Sequence, residues 1–280
     1  MTLLVFGRTG QVATALQQHE GVTAMGRDQA DLSDPAACAA AILAANPSAV
    51  INAAAYTAVD KAEDEEALAT VINGETPGAM AHVCAGLGIP LVHISTDYVF
   101  DGSGERPWKP SDTPAPVNAY GRSKLAGEDA IRAAGCTHVI LRTSWVFSPH
   151  GTNFVKSMLR LSETRDALGV VEDQIGGPTP AAGIAATCLT LAGALRRGHG
   201  GGTYHYAGKP DTSWMEFAQA IFKAAGRNVA VTGIPTSEYP NPAKRPLNSR
   251  LDCSALERDF GIAPPDWKAA MSQTVNELIS

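Results

Sequence analysis

The chain has few cysteines, no long apolar run and no surplus of positive charge. Its 5 cysteines, Cys38, Cys84, Cys136, Cys188 and Cys253, are odd in number, scattered and never spaced as C-x-x-C. That spacing excludes a disulfide framework and a structural zinc site, and reduced, buried thiols are expected. No apolar run approaches the roughly 20 residues of a membrane-spanning helix, so no membrane partner is expected. A formal net charge of -6 leaves no basic footprint for nucleic acid or anionic lipid. The first residues lack a charged segment followed by an apolar core, which gives the expectation of a cytoplasmic protein. Internal repeats and low-complexity linkers are missing too.

What is there is a chain of 280 residues, 45% hydrophobic, enough for a sizeable core in one large domain or two modest ones. Through the first half, short apolar runs alternate with alanine-rich helical stretches. The runs are Leu3–Phe6, Val22–Met25, Ala49–Asn52, Leu91–Ile94 and His138–Leu141. The helical stretches lie around Ala36–Ala45, Ala67–Leu87 and Ser123–Ala134, ended by Pro47, Gly88 and Gly135. This alternation predicts an α/β fold with a Rossmann-type doubly wound parallel sheet. Beyond Gly151 the rhythm changes. A helix is expected over Asn153–Leu161, strand and turn over Gly169–Gly177, and a loop over Gly198–Gly202. An amphipathic helix over Ser213–Ala225, a proline-rich segment over Pro235–Pro246 and a terminal helix over Trp267–Ile279 follow.

The first run leads straight into Gly7-Arg8-Thr9-Gly10-Gln11-Val12-Ala13, which then turns helical. Glycines allow a tight turn and a close approach of backbone to pyrophosphate, and the helix start supplies free N–H groups. The pattern G-x-x-G-x-x-A departs from G-x-G-x-x-G, but Ala13 is small enough for close helix–strand packing. Gly7, Arg8, Thr9, Gly10, Gln11 and Val12 are the candidate dinucleotide cradle. The second run ends at Gly26-Arg27. An acidic residue there would hold the ribose 2′-hydroxyl of NADH, whereas an arginine accommodates a 2′-phosphate. NADPH is therefore favoured, with NADH open. Arg27 and Arg8 are the candidates for that phosphate, and Asp31 with Leu32 for the adenine side. After Asn52, the small residues Ala53, Ala54 and Ala55 leave flat room for a coenzyme ring or ribose. Residues 1–150 thus read as a dinucleotide-binding domain with a return segment near 180–200. Residues 151–280 read mainly as a smaller α/β substrate-binding lobe over the sheet's carboxyl edge.

Tyr120-Gly121-Arg122-Ser123-Lys124 places a phenol and an ammonium one helical turn apart. Side chains four apart share a helix face with Cβ atoms roughly 6 Å apart, so Lys124 is expected beside Tyr120, favouring its phenolate. Such a tyrosine can protonate a carbonyl oxygen. Thr96, where an apolar run passes into a loop, offers a second hydroxyl close to where Tyr120 arrives.

These motifs resemble the extended short-chain dehydrogenase/reductase superfamily, and more closely its dTDP-4-dehydrorhamnose reductase family. The resemblance spans nearly the whole chain and rests on Phe6–Val12, Asn52–Glu63, Ser95–Gly102, Asn118–Lys124, Leu141–Phe147 and Arg245–Ser249. It implies Thr96, Tyr120 and Lys124 as the catalytic trio, with Tyr120 and Lys124 also touching the coenzyme. Val59, Tyr98, Trp145, Asn153 and Arg245 would then meet a sugar-nucleotide substrate. The implied reaction is NADPH-dependent reduction of the 4-keto group of dTDP-4-dehydro-6-deoxy-L-mannose to dTDP-L-rhamnose. Some members carry carboxylates, in the first helix or after a Pro-Thr pair, that bind Mg²⁺ at a dimer contact. The matching stretches here, Ala13–Leu16 and Pro178–Ile184, hold none. No metal, and a monomer or weak homodimer, are expected. The same trio serves 4-epimerases that recycle tightly held NAD, related deoxysugar-nucleotide reductases use it as well, and dinucleotide-binding regulatory subunits share the fold. Those readings stay open.

Overall fold

In the computed structural model, which describes residues 2–280, the apolar runs become one parallel sheet. β1 (Leu3–Phe6) lies between β2 (Val22–Met25) and β3 (Ala49–Asn52), and β4 (Leu91–Thr96) and β5 (His138–Thr143) follow β3. Gly202–His205 adds a sixth strand beside β5, so the order across the sheet is Gly202–His205, β5, β4, β3, β1, β2. Strand order reverses at β1, and ligands of such sheets bind outside the carboxyl ends at that switch point.

Successive side chains of a strand point to opposite faces, and both faces here are apolar. Val5, Ile51, Val92, Val139 and Leu141 pack with α1 (Gln11–Leu16) and the helix Ala181–Arg196. Leu4, Phe6, Val50, Leu91 and Ile140 pack under α2 (Pro35–Ala45), α4 (Thr76–Leu87) and α5 (Ala119–Ala134). This is the doubly wound α/β sheet that the alternation predicts. A sheet buried on both faces reads as continuous apolar runs, as these strands do.

Two departures from the expected elements bear on the site. The expected helix over Ala67–Leu87 is split into α3 (Glu66–Thr70) and α4 by a π-turn at Val71–Glu75. The turn buries Asn73, whose Oδ1 accepts from Tyr56 N at 2.8 Å and whose Nδ2 donates to Ser123 Oγ at 3.0 Å. Further, α5 begins at Ala119, four residues before Ser123, because the Asn118 side chain accepts the Gly121 N–H at 2.8 Å and caps it. Tyr120 therefore sits in the helix's first turn.

Beyond the sheet, Phe154–Leu161, Trp214–Ala224 and Trp267–Ile279 are helices around Phe147, Phe217, Ile221 and Trp267. The strands Ala167–Val171 and Ala230–Ile234 pair in parallel beside them. Ser213 opens Trp214–Ala224 with a capping box to Glu216. Among the described residues, no helix is long and apolar enough to cross a membrane.

Candidate active site

The carboxyl ends of β1 to β5 open onto one cleft of about 900 Å³. The turn Gly7–Val12 forms its floor at β1. Gly7 has φ 111°, and a Cβ there would approach both the Ala13 Cβ and the Ala53 backbone to 3.3 Å. Gly10 caps α1 without any side-chain bond, and a Cβ on it would meet nothing within 4 Å. The first N–H groups of a helix have no partner within it, and no side chain caps them here. A dinucleotide pyrophosphate fits these residues on that account.

Arg8 reaches over the end of β2. Its guanidinium pairs with Asp28 Oδ1 at 2.7 Å, and a Cβ at Gly26 would sit 2.9 Å from its central carbon. Gly26 is thus the space that lets Arg8 lie there. Arg27 lines the cleft beside it, so two guanidiniums stand together at the end of β2. Asp31 and Leu32 line the same end. The Ser33 backbone N–H, 2.9 Å from Asp31 Oδ1, helps hold that carboxyl below its usual range. Ala53, Ala54 and Ala55 line the middle of the cleft.

Thr96, Tyr120 and Lys124 converge deeper in. Thr96 Oγ1 accepts the Tyr98 N–H at 3.1 Å and donates to Asp97 Oδ1 at 3.1 Å, in the part of the cleft that Tyr120 also lines. The Tyr120 ring meets Tyr98 edge-on, with centroids 5.6 Å apart. Lys124 is 1% exposed. Its Nζ donates to the Ile94 carbonyl at 2.8 Å and lies 3.0 Å from His93 Nε2.

That geometry corrects one expectation. Spacing alone gives the Lys124 amine the task of favouring a Tyr120 phenolate, but its hydrogen bonds go to β4. Burial, only partly offset by the neighbouring Thr96 hydroxyl, pushes Tyr120 up to about 12. Burial, against Glu128, brings Lys124 down to about 8. Tyr120 therefore keeps its proton at neutral pH.

Beneath the trio, α5 is tied to the sheet through Glu128. This buried carboxylate accepts from Ser95 Oγ at 2.6 Å, from Arg142 at 2.6 and 2.8 Å and from Arg132 at 2.7 Å. Burial opposes its charge, but Arg142, Ser95 and Arg132 prevail and hold it below the ordinary carboxylate range. The clamp joins α5 to β4 and β5 and so sets where Tyr120 stands over Thr96.

Val59, Tyr98 and Trp145 line the far end of the cleft. Asn153 and Arg245 do not. Asn153 caps the helix Phe154–Leu161 and donates to Gln11 Oε1 at 2.9 Å, while Arg245 pairs with Asp60 at 2.7 Å. Asp97, Thr143 and Trp214, none of them a candidate from the sequence, are among the other residues that line the cleft. Asp97 Oδ2 and Thr143 Oγ1 are buried without a hydrogen-bond partner, and burial pushes Asp97 up to about 6. Trp214 looks like one more apolar position of an amphipathic helix; only contact with Trp145 reveals it. Among the described residues, no three His, Cys, Asp or Glu side chains cluster so as to hold a metal ion.

Known proteins give the arrangement its context. The family model described as RmlD substrate binding domain matches residues 1–280. The dTDP-4-dehydrorhamnose reductase of Sinorhizobium fredii is 43% identical, over 100% of this chain and 98% of its own length. A dTDP-4-dehydrorhamnose reductase from Clostridium acetobutylicum has a solved structure that superposes with a TM-score of 0.94 at 36% identity, covering 100% of both chains. That of Bacillus anthracis, solved in complex with NADP, gives 0.92 at 34% identity, covering 99% of this chain and 100% of its own. The chain belongs to the family of the RmlD substrate binding domain, whose model it matches from end to end.

Proposed function

We propose that this protein reduces the 4-keto group of dTDP-4-dehydro-6-deoxy-L-mannose to dTDP-L-rhamnose, using NADPH. The observation that carries the reading is the convergence of the Thr96 and Tyr120 hydroxyls, with Lys124 behind them, at the inner end of a cleft whose outer end is the glycine cradle. The relatives named dTDP-4-dehydrorhamnose reductase support the substrate, and the homologue solved with NADP supports the coenzyme.

Bound NADPH supplies the hydride. The chain's own residues do the rest. Gly7–Val12 would hold the pyrophosphate through backbone N–H groups, with Arg8 and Arg27 meeting the 2′-phosphate. Thr96 would hold the carbonyl oxygen, and its hydroxyl stabilises charge developing there. Tyr120, still protonated at neutral pH, gives its proton to that oxygen as general acid. Val59, Tyr98 and Trp145 would bind the sugar nucleotide. In this reading residues 1–150 with the return segment are the dinucleotide unit, and residues 151–280 mainly the substrate lobe. The enzyme works in the cytoplasm as a monomer or weak homodimer, without a metal.

The test mixes purified protein with NADPH and dTDP-4-dehydro-6-deoxy-L-mannose generated in situ. Stoichiometric NADPH oxidation with dTDP-L-rhamnose on chromatography is expected. Tight NADPH binding without oxidation refutes the reading.

A further inference from the structure

Ala54, Asn52, His93 and Lys124 form one hydrogen-bond chain from the turn after β3 to α5. Asn52 Oδ1 accepts the Ala54 backbone N–H at 3.2 Å, and Asn52 Nδ2 lies 3.1 Å from His93 Nδ1. The other ring nitrogen, Nε2, lies 3.0 Å from Lys124 Nζ, which also donates to the Ile94 carbonyl. Asn52, His93 and Lys124 are all buried.

The directions of these bonds follow from their fixed end. A backbone N–H only donates, so it settles which end of the Asn52 amide is the oxygen. The NH₂ end then faces His93 Nδ1, which must accept. A neutral imidazole carries one proton, which is left on Nε2 and points at Lys124 Nζ. An ammonium has three donors and no acceptor; a neutral amine has a lone pair to receive that proton's hydrogen bond.

We infer that the Ala54–Asn52–His93 chain fixes the imidazole tautomer and through it disfavours the ammonium form of Lys124 in the dinucleotide-free protein. Asn52 and His93 are then positioning residues of the site. Their relevance to catalysis rests on the reductase reading above; the tautomer itself does not. Burial acts in the same sense, bringing Lys124 down and holding His93 well below the ordinary histidine range. The surrounding charges are few. On α5, Lys124 faces Glu128, which favours its charged form but is already matched by Arg142 from β5 and by Arg132. Tyr120, one turn earlier on α5, is protonated, and beyond burial it is Lys124 itself, then His138 on β5, that lowers His93 further. To charge Lys124, a solvent proton must reach Nζ and the imidazole proton must move from Nε2 to Nδ1. Two donors then meet at Asn52 unless its amide turns over and gives up the Ala54 N–H.

Nitrogen NMR of histidine-labelled protein, free of dinucleotide and at about pH 9, where the Lys124 amine has lost its proton, reads the tautomer, with His93→Gln identifying the resonance. A protonated Nε2 and bare Nδ1 are expected; a protonated Nδ1 overturns the inference. Asn52→Asp supplies the second reading. A carboxylate accepts from Nδ1–H, so the ring proton should move to Nδ1 and Nε2 should accept from a charged Lys124. In activity against pH, the Lys124 ionisation should then move to higher pH by about one unit, a tenfold change in proton affinity. A variant that is slower at every pH with that ionisation unmoved overturns the link to Lys124, since a merely structural defect behaves so. Failure of NADPH oxidation with the keto sugar nucleotide refutes the reductase reading and leaves the NMR result to be judged alone.

Discussion

Trp145 and Trp214 stack with ring centroids 3.7 Å apart and planes 14° from parallel. Trp145 holds φ 48°, a left-handed backbone that costs a residue with a Cβ of order 1 kcal/mol or more. Gly176 lies so close that a Cβ on it would meet the Trp145 ring at 2.9 Å. The indole is therefore set in place from both sides, by Trp214 on one face and by the missing side chain of residue 176 at its edge. Trp214 Nε1 in turn donates to Gln174 Oε1 at 3.1 Å. Trp214→Ala frees Trp145 without touching the cradle or the trio. Aromatic pairs contribute about 0.5–1.5 kcal/mol beyond area, so KM for the sugar nucleotide should rise roughly 2- to 10-fold. NADPH affinity, measured by fluorescence titration, should stay unchanged; an equal loss of NADPH affinity would place the stack on the coenzyme instead.

Tyr120→Phe removes the proton donor and keeps the ring that packs on Tyr98. General-acid catalysis is worth about 10²–10⁴ in rate, so kcat should fall at least about 100-fold. NADPH binding should persist, because the cradle and both arginines are untouched. Near-normal turnover would remove Tyr120 from its assigned role.

The sheet was legible because its inner strands β1, β3, β4 and β5 are buried on both faces and so appear as mostly apolar runs. That Gly7–Val12, Tyr120 and Lys124 line one cleft was legible because a turn-and-helix start and an i, i+4 pair are local patterns, readable without tertiary contacts. Local spacing could not tell where a long side chain points. Lys124 belongs to the right helix face, yet His93 and Ile94 on β4 claim its amine. The strand Gly202–His205 was hidden after a glycine-rich loop, since an edge strand of four residues is recognised by its partner β5 rather than by its composition. Asn73 and Trp214 act through partners distant in sequence, Tyr56 and Ser123 for one and Trp145 for the other, and no window of neighbours contains them together.

Asp97 should make stability fall as pH rises. Its carboxyl, ordinarily at 3.8, is pushed up to about 6 by burial, and its Oδ2 lacks a partner. Between those pH values the folded protein holds a proton that the unfolded chain has lost, so the fold loses stability through that window as pH rises. Above about pH 6 the whole difference applies, about 3 kcal/mol at most by the usual 1.4 kcal/mol per pH unit. Asp97→Asn keeps an oxygen for Thr96 and removes the ionisation. Denaturant unfolding at about pH 8 should find the variant more stable than the parent, and at about pH 4 nearly equal to it. A gain of the same size at both pH values would mean that the ionisation is not its source.

Gly121 and Gly86 both lie inside helices, and replacing each by alanine should have opposite outcomes. At Gly86, in α4, a Cβ meets nothing within 4 Å. Alanine there narrows the unfolded ensemble and should stabilise by about 0.4–1 kcal/mol with activity unchanged. At Gly121, in the first turn of α5, a Cβ would run into the Tyr98 carbonyl oxygen and come within 2.9 Å of the Pro116 Cβ. That carbonyl belongs to the turn that also presents Thr96, so relief of the clash moves the start of α5 away from Thr96 and carries Tyr120 with it. Overpacking of this kind costs about 1–3 kcal/mol. A displacement of about 1 Å at a reacting group costs on the order of 10²-fold in rate. Gly121→Ala should therefore lose both thermal stability and kcat, while NADPH still binds at the distant cradle. Loss of stability with full kcat would show that the helix yields elsewhere and that the Thr96–Tyr120 contact does not depend on this close approach.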